Sequence, residues 1–266
     1  MGIEWIIAFL VLGAVVGFMA GLLGIGGGGI MVPMLTTIFL AQGIPVEQVV
    51  HMALGTSMAS IVMTSFASMR AHHKKGAIQW DIVKVMAPGV IIGTFAATFL
   101  ATYMKSSQLA IFFAIFMAYV SIQMALDKKP KPSQGVVTSQ KLFGAGTFIG
   151  VISALVSIGG GSLTVPFLIW QNIDLKKAIA SSAAIGFPLS IAGTVGYMIN
   201  GMMQTGQAGM LLGFVYFPAV ILISLVSFFT APLGAKMAHT LPVSKLKKIF
   251  ALLLMALSIK MLTSVL

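Results

Sequence analysis

The fold class predicted by this sequence is an all-α polytopic membrane protein made of two inverted-topology repeats. Three observations carry it. Hydrophobic residues make up 58% of the 266 and charged residues 8%, with a mean hydropathy of +1.04. A soluble chain carries about a quarter charged residues, so this one cannot cover a water-facing surface. The apolar stretches are long and continuous, not ten-residue alternations, which selects helices over a barrel. The chain also repeats itself: Gly17–Pro33 (GFMAGLLGIGGGGIMVP) aligns without a gap on Gly150–Pro166 (GVISALVSIGGGSLTVP), at a constant offset of 133, half of 266.

The elements follow in order. Apolar runs fall at 3–23, 30–41, 49–69, 80–103 and 107–126, and again at 142–157, 162–171, 177–199, 209–235 and 246–266. The first lacks a basic leading region and a small-residue cleavage site, so it reads as a retained helix and not a signal peptide. Most runs supply the roughly 20 residues a spanning helix needs. The runs starting at Ile30 and Ser162 are too short and read as half-helices entering from the glycine breaks, with Pro33 and Pro166 in their first turns, where a missing N–H is tolerated. The stretch Asp127–Lys141 (DKKPKPSQGVVTSQK) has no periodic apolar face and carries four Lys, so it reads as a cytoplasmic linker. This divides the chain into membrane repeat 1 (1–126), linker (127–141) and membrane repeat 2 (142–266).

Loop charge sets the orientation. Arg70–Lys75 (RAHHKK) is basic, whereas the corresponding Asn200–Gly209 (NGMMQTGQAG) has no charge; Lys105 stands almost alone, whereas Lys236–Lys248 (KMAHTLPVSKLKK) is strongly basic. Basic and neutral loops swap between the halves, so the repeats should point in opposite directions. That requires an odd number of segments per repeat. Five each gives ten membrane segments, both termini outside the cytoplasm, with the two short segments entering without necessarily crossing. The net charge of +11 is then a set of loop cations and not a nucleic-acid surface. With no cysteine there is no disulfide framework, thiol catalysis or thiolate metal site.

Gly26, Gly27, Gly28 and Gly29 in the first repeat, and Gly159, Gly160 and Gly161 in the second, interrupt the helices at matched places. Such backbone is tolerated in hydrocarbon only inside protein or against a water-filled cavity. The N–H groups opening each half-helix lack intrahelical partners, and the helix dipole adds partial positive charge, which makes an anion site. Two of them related by an in-plane axis would meet near the midplane, as in inverted-repeat transporters. The competing reading is that the glycines only permit close packing. Gly24, Gly26 and Gly29 also fit GxGxxG, but an apolar helix precedes them instead of a strand, and no GK[ST] follows.

A second matched pair is rich in hydroxyls: ALGTS (Ala53–Ser57) aligns with AIASS (Ala178–Ser182), setting Thr56 opposite Ser181 and Ser57 opposite Ser182. Neutral donors can complete an anion's hydrogen bonds without burying a charge; the plain alternative is helix packing. The five acids, Glu4, Glu47, Asp81, Asp127 and Asp174, sit at segment ends, which leaves a proton relay without an obvious carrier. His51 at a helix end, and Asn200, Gln171 and Gln204, read as interfacial polar residues.

The paired glycine breaks ending in Pro, each followed by a small-hydroxyl helix, resemble the sulfite exporter TauE/SafE family of membrane permeases. The resemblance covers both repeats. It implies transport of sulfur-containing or other organic anions, and it carries the motif onto Gly26–Gly29 with Pro33, Gly159–Gly161 with Pro166, and the two hydroxyl pairs. Repeat two departs from repeat one: Ser162 replaces the fourth glycine, and Ser181–Ser182 replace Thr56–Ser57, which argues for one asymmetric ligand. The expected function is secondary transport of a small anion by alternating access, with an anion-selective channel as the alternative. An intramembrane enzyme acting on lipid would need paired carboxylates, a His cluster or a nucleophile with a base, and none is visible. No cofactor or metal is expected. The expected partners are a small anionic substrate and the lipid bilayer, in the inner (plasma) membrane of a bacterium or archaeon, with no nucleic acid.

Overall fold

The computed structural model describes residues 2–23, 27–126, 138–205, 210–237 and 243–265. Among them are ten helices: α1 Ile3–Leu23, α2 Gly28–Ala41, α3 Val46–Lys74, α4 Trp80–Tyr103, α5 Ser106–Leu126, α6 Ser139–Val156, α7 Gly161–Trp170, α8 Leu175–Thr205, α9 Phe217–Met237 and α10 Val243–Val265. Seven are long and apolar enough to cross a membrane. α2 and α7, at 14 and 10 residues, do not belong to that set. At 1.5 Å per residue they reach about 21 and 15 Å, against a hydrocarbon core of about 30 Å. The proposed linker lies outside the described residues as far as 137, as do Gly24–Gly26.

Close helix packing comes from glycine stripes at four-residue spacing. Gly13, Gly17 and Gly21 of α1 lie on the backbone of α9 at Ile223, Ser227 and Ala231. Gly89 and Gly93 of α4 face Phe143 and Thr147 of α6, while Gly146 and Gly150 of α6 face Met86 and Val90 of α4. Without a Cβ these helices approach until backbones touch, the main route to association where lipid competes for apolar contact. Both pairs run parallel. α3 runs antiparallel to α8: Gly55 lies against Tyr197, Gly193 against Met58, and the Ser65 and Ser190 hydroxyls bond at 3.2 Å. α5 packs on α10. Exchanging α1–α5 for α6–α10 turns the α1–α9 pair into α6–α4 and leaves α3–α8 and α5–α10 unchanged.

Four sequence expectations are corrected. α8 continues to Thr205, through the Asn200–Gly201 dipeptide that reads as a loop. The run 209–235 starts with a tight hairpin and not a helix: β1 (Leu211–Leu212) pairs with β2 (Val215–Tyr216) around Gly213, at φ 60°. A short buried strand and a helix segment have the same hydropathy, so the run alone cannot separate them. His51 is buried at 4% exposure. Its Nε2 lies 2.9 Å from the Ala101 carbonyl, and its ring lies 5.1 Å from that of Phe214 on the hairpin. Asn200, 3% exposed, donates to Thr98 Oγ1 at 3.1 Å and to the Gly196 carbonyl at 2.8 Å, so it joins α8 to α4 and is not interfacial. Of the acids, Glu4, Glu47, Asp81 and Asp174 are exposed, and Asp127 lies outside the described residues.

Candidate functional site

The two helix breaks touch. A Cβ on Gly28, the first residue of α2, would collide with the Ser157 carbonyl, which belongs to the break between α6 and α7. Ser157 ends α6 in the left-handed region at φ 48°, and its hydroxyl donates to the Leu54 carbonyl of α3 at 3.1 Å. The fully buried Tyr197 hydroxyl of α8 reaches the Ala154 carbonyl in the last turn of α6 at 2.9 Å. Helix-end carbonyls have no intrahelical donor, and none can be left open in hydrocarbon. α6 is therefore held at its broken end by both α3 and α8.

The glycine calls separate once placed. Gly26 lies outside the described residues. Gly27 caps α2 at φ 70°, a conformation costly for any residue with a side chain. Gly28 makes the contact between breaks, and Gly29 packs on Met117 and Leu254. In the second break Gly159 is buried, and Gly160 caps α7 with right-handed torsions, φ −38° and ψ −13°. Gly161 opens α7. The point where a Cβ of Gly160 would sit is 3.1 Å from Thr164 Oγ1, 3.6 Å from the Ser182 carbonyl and 3.7 Å from Ser182 Oγ.

The hydroxyl pairs divide in the same way. Thr56 accepts the Tyr216 N–H at 3.0 Å, and Ser181 accepts the Gln79 N–H at 2.9 Å. Each acceptor meets the residue just before the next long helix, so these two hydroxyls hold chain entry into α9 and α4. Ser57 and Ser182, one position further on, are buried at 0% and 2% exposure and have no hydrogen-bond partner. The buried hydroxyls without partners among the described residues are those of Ser57, Ser153, Ser162, Thr164, Ser182 and Ser224. Four of these six fall on α7 or at the second position of the hydroxyl pairs. Thr56→Val is expected to lose about 0.5–1.5 kcal/mol of stability by removing the hydroxyl that accepts from the Tyr216 amide, whereas Ser57→Ala, which removes an unpartnered buried hydroxyl, should hold or raise stability. Thermal melts of the two variants in detergent check this contrast.

Thr164 is the residue that the sequence reading misses. Its counterpart in the first break, at the offset of 133, is Met31. The two half-sites therefore differ chemically as well as in setting. α2 is packed on α3 and α10 and buries Ile30, Met31, Val32, Leu35 and Phe39, whereas α7 packs mainly on α8 and buries only Thr164 and Leu168. Ser162 faces a cavity of about 230 Å³ between α5, α6 and α7, lined chiefly by Tyr119, Phe148, Leu163 and Phe167. Gly186 of α8 lies beside the second break, its Cβ position 3.8 Å from both the Gly160 nitrogen and Ser65 Cβ. Ser65 and its bonded partner Ser190 are themselves equivalent positions, at the offset of 125 that relates Ser57 to Ser182.

Long apolar helices that turn their hydroxyls inward around two half-helices make up a polytopic membrane transporter. The chain belongs to the sulfite exporter TauE/SafE family, whose model matches residues 9–261. It is similar to a probable membrane transporter protein of Haemophilus influenzae, 38% identical over 258 residues that cover 97% of this chain and 98% of the relative. Another probable membrane transporter protein, from the archaeon Methanocaldococcus jannaschii, is 26% identical over 231 residues, 85% of this chain and 84% of that one. No solved structure matches. The protein is thus an integral membrane transporter and not an enzyme.

Proposed function

We propose that the protein is a secondary permease for a small anion of the sulfur oxyanion or sulfonate type, bound at the glycine breaks and moved by alternating access. The observation that carries this reading is the pair of buried, unpartnered hydroxyls of Thr164 and Ser182 beside Gly160, at the open N-terminus of α7. An unsatisfied hydroxyl costs about 1–3 kcal/mol in a dry interior. Two at one helix N-terminus make sense as ligand donors, and a helix N-terminus favours negative charge. Ser57, Gly27 and the N-terminal turn of α2 are assigned to a second, weaker half of the proposed site. The family resemblance supplies the sulfur chemistry.

The domain division at 127–141 and the opposed orientation of the two repeats belong to the same proposal. The swapped loop charges and the antiparallel packing of the equivalent helices α3 and α8 support it. The contrast between a deeply packed α2 and a loosely held α7 supports alternating access, because exchanging those two environments would exchange the open side.

Three measurements test the proposal. Purified protein in proteoliposomes should take up labelled sulfite or a sulfonate, and preloaded unlabelled substrate should accelerate that uptake, as a carrier does and a channel does not. Ser182→Ala should weaken apparent affinity roughly three- to tenfold, the equivalent of one neutral hydrogen bond of about 0.5–1.5 kcal/mol. For topology, a single cysteine at the exposed Ala71 is clean in this cysteine-free chain. It should resist an impermeant thiol reagent in intact cells and react once the membrane is opened; labelling in intact cells overturns the opposed orientation.

A further inference from the structure

We infer that the site at the start of α7 selects by charge, accepting a monoanion and rejecting a dianion of the same shape; this rests on the anion site proposed above. The side-chain donors shown beside Gly160 are neutral. Thr164 and Ser182 offer hydroxyls, buried at 0% and 2% exposure and without partners, and the start of α7 offers backbone amides. No Lys or Arg occurs in 1–69, in 142–175 or in 178–235, the stretches that hold both breaks, the whole of α7 and the hydroxyl positions of α3 and α8. The buried His51 is engaged with the Ala101 carbonyl and packs on Phe214. The remaining fixed charge is the N-terminal end of the half-helix, worth about half an elementary charge. The opening of α2 adds little, because the Ser157 carbonyl lies against Gly28 and Met31 replaces the second hydroxyl.

Charge then decides selectivity by scaling. The penalty for taking an ion out of water rises with the square of its charge, while its attraction to fixed dipoles rises only in proportion. Doubling the charge therefore multiplies the cost about four times and the gain about two times. A buried Arg or Lys would tilt this balance toward the dianion; hydroxyls and amides tilt it toward the monoanion.

Methanesulfonate and sulfate are suitable probes, since both are tetrahedral sulfur anions and one carries a methyl where the other carries an oxygen. Binding to the purified full-length protein is read by calorimetry at matched ionic strength, with proteoliposome counterflow as a second readout. Methanesulfonate should bind at least about tenfold more tightly than sulfate, a difference of about 1.4 kcal/mol. Thr164→Val should weaken methanesulfonate binding roughly three- to tenfold, and Thr164→Ser should restore it. Sulfate binding as tight as methanesulfonate, in protein whose binding still falls with Thr164→Val, overturns charge selection and leaves the anion site standing. Binding of both anions unaffected by Thr164→Val, or binding of neither, removes the anion site and charge selection with it.

Discussion

Gly28→Ala is expected to yield protein that fails to fold or melts far below the parent. The added methyl would run into the Ser157 carbonyl, and neither side can yield easily. Gly28 is the first residue of a half-helix whose first turns are buried, and Ser157 is held by its left-handed torsions and by its bond to the Leu54 carbonyl. Overpacking a tight core costs about 1–3 kcal/mol and occasionally more. Here the clash is between two backbones joining the two halves of the chain, so a loss at or above the top of that range is expected. Size-exclusion profiles and melts in detergent measure it. A monodisperse Gly28→Ala protein with the parent melting temperature would show that the two breaks do not meet at this point.

Gly160→Ala should have the opposite signature: a folded protein that no longer binds. Its torsions lie in the right-handed helical region, so alanine fits without backbone strain, and the lower entropy of the unfolded chain adds about 0.4–1 kcal/mol. The nearest atom to the new methyl is the Thr164 hydroxyl oxygen at 3.1 Å, the end of a side chain and not a backbone. What the methyl does is fill the space between the Thr164 and Ser182 hydroxyls, where the anion would sit. Binding and uptake should fall by well over tenfold while the melting temperature holds or rises. Normal binding by folded Gly160→Ala protein would put the site elsewhere. Gly27, by contrast, cannot serve as the mirror-image test: at φ 70°, with Val16 Cγ1 only 2.5 Å from its Cβ position, any side chain there is disfavoured for reasons unrelated to ligand.

This difference between Gly27 and Gly160 marks the boundary of what the sequence makes legible. Many helix positions were readable: α4 spans the expected 80–103, and the short α2 and α7 emerge from the glycine breaks, whereas α8 runs on to Thr205 and α9 starts only at Phe217. Hydropathy sums transfer free energy along a window, and a membrane demands that each window satisfy its own backbone. Local sequence therefore decides where helices lie. The family was legible for a related reason, because a duplicated motif with matched Pro and hydroxyl positions is itself linear.

The roles within those motifs were not linear. Thr56 and Ser57 are adjacent in the sequence and equally buried, yet one holds the Tyr216 amide across 160 residues and the other is left unpartnered. Thr164 stands out only because Ser182 and Gly160 are folded around it. Asn200 and His51 look like helix-end polar residues until α4 brings Thr98 and Ala101 to them. A buried polar atom is defined by its partners, and partners that lie a hundred residues away are chosen by helix packing. The repeats announced two matched half-sites that already differ at Ser162 and in the hydroxyl pair. Packing buries α2 more deeply than α7, because α3 and α10 both pack on the first whereas α8 is the main neighbour of the second; each half-helix also borders a groove, of about 470 Å³ beside α2 and about 230 Å³ beside α7.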